Sequence, residues 1–115
     1  MSKFTLYHNP RCSKSREALQ LLKDKGIEAE VVLYLENPPS VAELKKIVSK
    51  LGISAKALLR TKEDEYKALG LANEEREAAI LQAMHEHPKL IERPILLANG
   101  KAALGRPPEN ILSIL

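Results

Sequence analysis

The strand formers Phe4-Thr5-Leu6-Tyr7 halt at His8-Asn9-Pro10, and helical spacing begins at Ser13, an abrupt change that sharply limits the folds open to this chain. Pro10 removes a backbone donor and blocks continuation of the strand. From about Ser13 to Lys25 the residues Ala18, Leu19 and Leu22 recur on one helical face, and Gly26 stands where a left-handed C-cap belongs. Ala29 to Tyr34, with Val31-Val32 at its centre, reads as a second strand that breaks at Asn37-Pro38-Pro39. A strand-helix-strand opening of this kind closes by a right-handed crossover, which makes its two strands parallel.

Ser40 and Glu43 have capping-box spacing, and Val41, Leu44, Ile47, Val48 and Leu51 line one face of a helix that Gly52 terminates. Between Ser54 and Leu71 the pattern predicts a short helix beginning at Ala57-Leu58-Leu59 and a turn over Tyr66 to Leu69 before Gly70. Asn73 is expected to cap a longer helix from Glu74 to about His87, stopped by Pro88. Ile91 to Ala98 reads as a strand interrupted near its start by Pro94, and Asn99-Gly100 predicts a tight hairpin into an antiparallel partner, Lys101 to Leu104. Pro107-Pro108 can open a last helix with Ile111, Leu112 and Leu115 on its apolar side. The order βαβ, then helices, then ββα defines an α/β, thioredoxin-like fold: a mixed four-stranded sheet with a helical insertion at about 40–88, in a single domain spanning 1–115.

A chain of 115 residues closes one core, so one site is sought. The net charge of +3 comes from 18 basic and 15 acidic residues interleaved along the helices, which suits a small anion better than a nucleic acid. The four aromatics, Phe4, Tyr7, Tyr34 and Tyr66, are too scattered for a base-stacking platform. The opening MSKFTLYHNP lacks the apolar run of about 7–15 residues that a secretory leader needs, and no later stretch is apolar for long enough to span a bilayer. A cytoplasmic protein without membrane or nucleic-acid partners is the expectation.

With one cysteine the chain can form neither an internal disulfide nor a cysteine-based metal cage, so no metal is expected and Cys12 is either buried filler or a reactive thiol. Its position favours reactivity. A helix N-terminus stabilises the thiolate through unpaired N–H groups and the positive dipole end, and Arg11, Lys14 and Arg16 add cationic character. Ser13 and Ser15 carry hydroxyls able to donate to the sulfur, and Ser15 stands where a C-x-x-C redox site has its second cysteine. It can solvate a thiolate but cannot resolve a disulfide. His8 is a weaker, supporting candidate that could influence the thiolate, since a loop histidine is more often merely solvated or structural. The same helix N-terminus also offers converging donors to a tetrahedral oxyanion, for which arginines are the matching cations.

The run Tyr7-His8-Asn9-Pro10-Arg11-Cys12-Ser13-Lys14-Ser15-Arg16 resembles the active-site segment of the glutaredoxin-dependent arsenate reductases. The resemblance continues in Leu59-Arg60-Thr61, Glu92-Arg93-Pro94 and Gly105-Arg106-Pro107, so that it spans residues 4 to 108. It implies that Cys12 is the nucleophile and that Arg60, Arg93 and Arg106 bind arsenate. It also implies a cis peptide bond at Arg93-Pro94. With no second cysteine, glutathione would serve as co-substrate and glutaredoxin as protein partner, with no bound cofactor and a monomer as the default state. The loop reads Cys-Ser-Lys-Ser where the arsenic-resistance members tend to have Cys-Gly-Thr-Ser, which leaves room for another oxyanion or a glutathionylated substrate. Two other functions share the fold: an Spx-like regulator that binds RNA polymerase, whose dithiol switch Ser15 argues against, and a monothiol glutaredoxin-like deglutathionylase, which needs no arginine trio.

Overall fold

The computed structural model describes residues 4–115; residues 1–3, part of the stretch read for a leader, lie outside them. The chain divides into two compact units, one of residues 4–37 and 93–115 and the other of residues 38–92.

The first unit holds the sheet. Strand β1 (Phe4–His8) leads through the Asn9-Pro10 break into helix α1 (Ser13–Asp24), and β2 (Glu30–Leu33) returns parallel to β1, with Leu6 opposite Val31. Gly26, at φ +72°, supplies the left-handed residue that turns the chain out of α1, and Ile27 N–H closes on the Leu22 carbonyl. Strands β3 (Ile95–Ala98) and β4 (Lys101–Leu104) form an antiparallel hairpin beside β1, giving the order β2-β1-β3-β4. Asn99 (φ 54°) and Gly100 (φ 75°) make its two-residue turn, as the sequence predicts. Leu6, Leu96, Ala98 and Ala103 on the sheet pack with Ala18 and Leu22 of α1 and with Ile111 and Ile114 in one buried cluster.

Two expectations for this unit need adjustment. The strand predicted from Ile91 begins at Ile95, because Pro94 has no N–H for the ladder and the backbone before it is engaged elsewhere: Glu92 N–H donates to Leu58 O and Ile91 bridges Leu59. The last helix, Pro108–Ile114, is a 3₁₀ helix, whose three-residue turn stacks Ile111 over Ile114 and buries both while Leu115 is exposed. Arg93-Pro94 is cis, as the resemblance implies, and Arg106-Pro107 is cis as well, which the sequence did not signal.

The second unit is helical. In α2 (Val41–Leu51) the capping box is complete: Glu43 N–H donates to Ser40 Oγ at 3.1 Å and Ser40 N–H to Glu43 Oε1 at 3.0 Å. Gly52, at φ +70°, ends it. The segment after it forms a single 3₁₀ turn at Lys56–Leu58 and a short helix α3 (Asp64–Ala68), with Leu59 already extended. Helix α4 runs Glu77–Glu86, three residues later than predicted, and Asn73 does not cap it. Asn73 belongs instead to a 3₁₀ turn, Leu71–Asn73, where its N–H closes on Gly70 O. Glu74 is turned onto the N–H and guanidinium of Arg76, and the apolar face of α4 starts only at Ile80, followed by Leu81 and Met84. Leu44, Ile47 and Val48 of α2 are buried alongside these residues as the two helices pack together.

Candidate active site

Cys12 occupies the N-cap position of α1 with extended backbone (φ −94°, ψ 122°). Its own N–H closes on Asn9 O at 3.0 Å and its carbonyl accepts from Arg16 N–H at 3.0 Å, so the loop after β1 and the first turn of α1 fix the residue from both sides. The thiol is half-buried and free of any disulfide. Burial alone would raise its pKa; the backbone N–H groups of Ser15 and Lys14, and the charge and side-chain hydrogen bonding of Arg93, outweigh that and hold it below the ordinary thiol value. The result is a partly accessible sulfur biased toward the nucleophilic form.

Arg93 is the last residue before Pro94 and β3, and its Nε and Nη1 atoms are buried from solvent. Arg106, following β4, reaches the same segment: its Nη1 lies 3.4 Å from the Arg93 carbonyl, and Asn110 Nδ2 donates to the Arg106 carbonyl at 3.0 Å. Gly105 permits this approach. Its N–H donates to Pro94 O at 2.8 Å, and a Cβ on it would sit 2.7 Å from Pro94 Cγ. Of the predicted arginines, Arg93 therefore acts on the sulfur and Arg106 adjoins Arg93. Arg60 belongs to the other unit, where it lies between Glu63 and Glu92, each at 3.3 Å.

The two supporting residues, Ser15 and His8, meet each other behind the loop. Ser15 is fully buried; its Oγ accepts from Asn9 N–H at 3.0 Å and lies 2.6 Å from His8 Nδ1. Ser15 stabilises the sulfur through its backbone N–H, while its hydroxyl ties the loop to the histidine. His8 is buried rather than solvated, and burial, followed by the charges of Arg16 and Lys23, lowers its pKa, so that it is neutral at pH 7. Arg16, one of the cations flanking Cys12 in the sequence, donates to Pro10 O at 3.0 Å. The charge that lowers the thiol pKa comes from Arg93, far along the chain. Among the described residues no cluster of three His, Cys, Asp or Glu side chains is placed to hold a metal ion, and no helix is long and apolar enough to cross a membrane.

A cysteine at the start of α1 in a βαβ–ββα sheet, facing the residue before a cis proline, defines a thioredoxin-like thiol protein. A model of the ArsC family matches residues 7–114, and the chain belongs to that family. It is 56% identical to the arsenate reductase of Neisseria meningitidis serogroup A over 117 residues that cover all of both chains. It is 58% identical over 112 residues to the uncharacterized protein YfgD of Escherichia coli, covering 96% of this chain and 94% of that one. Among solved structures it is similar to the arsenate reductase from Vibrio cholerae, with a TM-score of 0.94, 52% identity and 97% of each chain covered.

Proposed function

We propose that this protein reduces arsenate to arsenite, in the cytoplasm and as a monomer, by covalent catalysis at Cys12. The observation that carries the reading is the half-buried Cys12 sulfur, stabilised as a thiolate by the open end of α1 and by Arg93. Kinship with arsenate reductases over the full chain supports the choice of oxyanion.

Arg93 and Arg106 offer guanidinium forks to the arsenate oxygens, and the family resemblance assigns the same task to Arg60. The thiolate attacks As(V), an As–O bond breaks, and the oxygen leaves as water after protonation. Glutathione then adds to the arsenic with loss of a second water. The thiolate of glutaredoxin attacks the glutathione sulfur; the As–S bond to glutathione breaks, its electron pair stays on arsenic, and a glutaredoxin–glutathione mixed disulfide departs. Hydrolysis of the remaining Cys12–As(III) bond releases arsenite and returns the thiol. Splitting the reduction in this way replaces one hard two-electron step by a series of thiol exchanges.

An arsenate reduction assay with glutathione, run with and without glutaredoxin, tests the reading. Turnover is expected only with both thiols, and Cys12→Ser is expected to abolish it. Arg60→Ala is expected chiefly to raise the KM for arsenate, and Arg93→Ala to raise it and also to slow attack by Cys12, because Arg93 helps hold the thiol pKa down. Turnover retained by the Cys12 variant would discard the covalent mechanism.

A further inference from the structure

Strands β1 and β2 are parallel and in register, with His8 opposite Leu33, so both deliver their next residues to the same end of the sheet. The first continues into Asn9-Pro10-Arg11, a turn closed by Cys12 N–H on Asn9 O and stiffened by Arg11 N–H on Asn9 Oδ1, each at 3.0 Å. The second continues into Leu35 and Glu36, in a turn closed by Glu36 N–H on Leu33 O at 3.0 Å. Between the two turns lies a cleft of about 310 Å³. Open α/β sheets take ligands at the carboxyl ends of their parallel strands, and this volume sits at the lower end of the roughly 300–1,000 Å³ of small-molecule sites. Cys12 is the last residue of the turn that forms one wall, so its α-carbon lies within about 7 Å of that of Asn9.

The cleft combines an apolar wall with two opposite charges. Leu33, Pro10 and Leu35 supply the wall, and Leu35 is 39% exposed. Arg11 and Glu36 are exposed, one on each turn, and among the described residues neither side chain has a hydrogen bond or an ion pair. A simple oxyanion drawn to Arg11 is repelled by Glu36. A ligand that carries an ammonium and a carboxylate close together satisfies both, and methylene groups beside that charge pair suit the leucines.

We infer that this cleft seats glutathione, with the α-carboxylate of its γ-glutamyl end on Arg11, the α-ammonium on Glu36 and the γ-glutamyl methylenes along Leu33 and Leu35, so that the cysteinyl arm turns back toward Cys12. The inference rests on the reading that glutathione is the thiol co-substrate. A planar guanidinium matches the carboxylate oxygens, and the glutamate fixes which end of the tripeptide enters. With its head held one turn away from Cys12, the tripeptide's thiol meets the reacting sulfur as a neighbour and not by free encounter. Arg11 and Glu36 are thus binding residues for the thiol, separate from the arginines that receive the oxyanion.

The test titrates the intact protein with S-methylglutathione, which cannot react at sulfur, and follows the backbone amides by nitrogen-15 NMR. Saturable shifts should concentrate at Asn9, Arg11, Leu35 and Glu36. Arg11→Ala and Glu36→Gln, once circular dichroism has confirmed folding, should each raise the dissociation constant by about two- to fivefold. N-acetyl-S-methylglutathione, which lacks the ammonium, should bind wild type more weakly by a similar factor, whereas Glu36→Gln should bind the two ligands equally. Shifts centred away from the cleft, or none that saturate, overturn the inference, as does a Glu36→Gln variant that still favours the ligand with the ammonium. An arsenate reduction assay with glutathione, run alongside, separates the two failures. Glutathione-dependent turnover with shifts outside the cleft keeps the co-substrate and removes the site; shifts in the cleft without such turnover keep the site and remove the co-substrate.

Discussion

His8 Nδ1 and Ser15 Oγ lie 2.6 Å apart, both side chains buried, and the same hydroxyl accepts the N–H of Asn9. The serine that replaces a second cysteine is therefore a structural knot joining the end of β1, the loop and α1. Ser15→Ala should destabilise the fold by about 1–3 kcal/mol in urea titrations, because it strands a buried imidazole nitrogen and a backbone N–H. It should leave the Cys12 pKa where it is, since Ser15 acts on the sulfur through its backbone N–H. A thiol pKa that climbs in this variant would show the hydroxyl itself at work on the sulfur.

Arg93 contributes to thiolate stability both by charge and by side-chain hydrogen bonding, whereas Arg16 and Lys23 act on His8. Arg93→Ala should accordingly raise the Cys12 pKa, moving the pH profile of the iodoacetamide reaction toward higher pH. Arg16→Ala should not move that profile. Equal shifts in the two variants would mean that nearby positive charge of any origin is enough.

These roles mark how far the sequence could be read. The βαβ opening, the Ser40–Glu43 capping box and the Asn99-Gly100 hairpin were all legible, because each is specified by residues close together in the chain. The start of α4 was not: Asn73 has the right side chain for a cap, but Gly70 had already drawn it into another turn. Cys12 could be placed at a helix N-terminus from local spacing alone. That Arg93 and not Arg16 lowers its pKa, and that Glu63 and Glu92 hold Arg60, depends on strand pairing and a long-range bridge that no local pattern encodes.

The lowered pKa of His8 makes stability depend on pH. The unfolded chain takes up a proton near the ordinary histidine value of about 6.5, whereas the folded protein resists it until lower pH, so in that interval unfolding binds protons. His8 thus adds stability that is fully present above about pH 6.5 and is lost as pH falls through its folded-state value. Urea midpoints should decline as the pH is lowered from 7 toward 5, and His8→Gln should flatten that decline. An equal slope in the variant would assign the acid sensitivity to other groups.

Gly105 offers the sharpest link between packing and chemistry. A methyl group there would meet the ring carbon Pro94 Cγ at 2.7 Å and Ile111 Cγ2 at 3.3 Å, and a proline ring cannot swing aside as a flexible side chain would. Gly105→Ala must therefore push the Arg93-Pro94 segment away from the Arg106 segment or strain the bond from Gly105 N–H to Pro94 O. The expected cost is about 1–3 kcal/mol of stability. Because Arg93 acts directly on the sulfur, the same displacement should raise the Cys12 pKa, although Gly105 has no side chain of its own to touch the thiol. Ile111→Val serves as the control: it trims the buried cluster and should lower stability without moving the thiol titration. Were Gly105→Ala to lose stability while its alkylation profile stayed that of wild type, Pro94 and Arg93 would be uncoupled, and the glycine would serve packing alone.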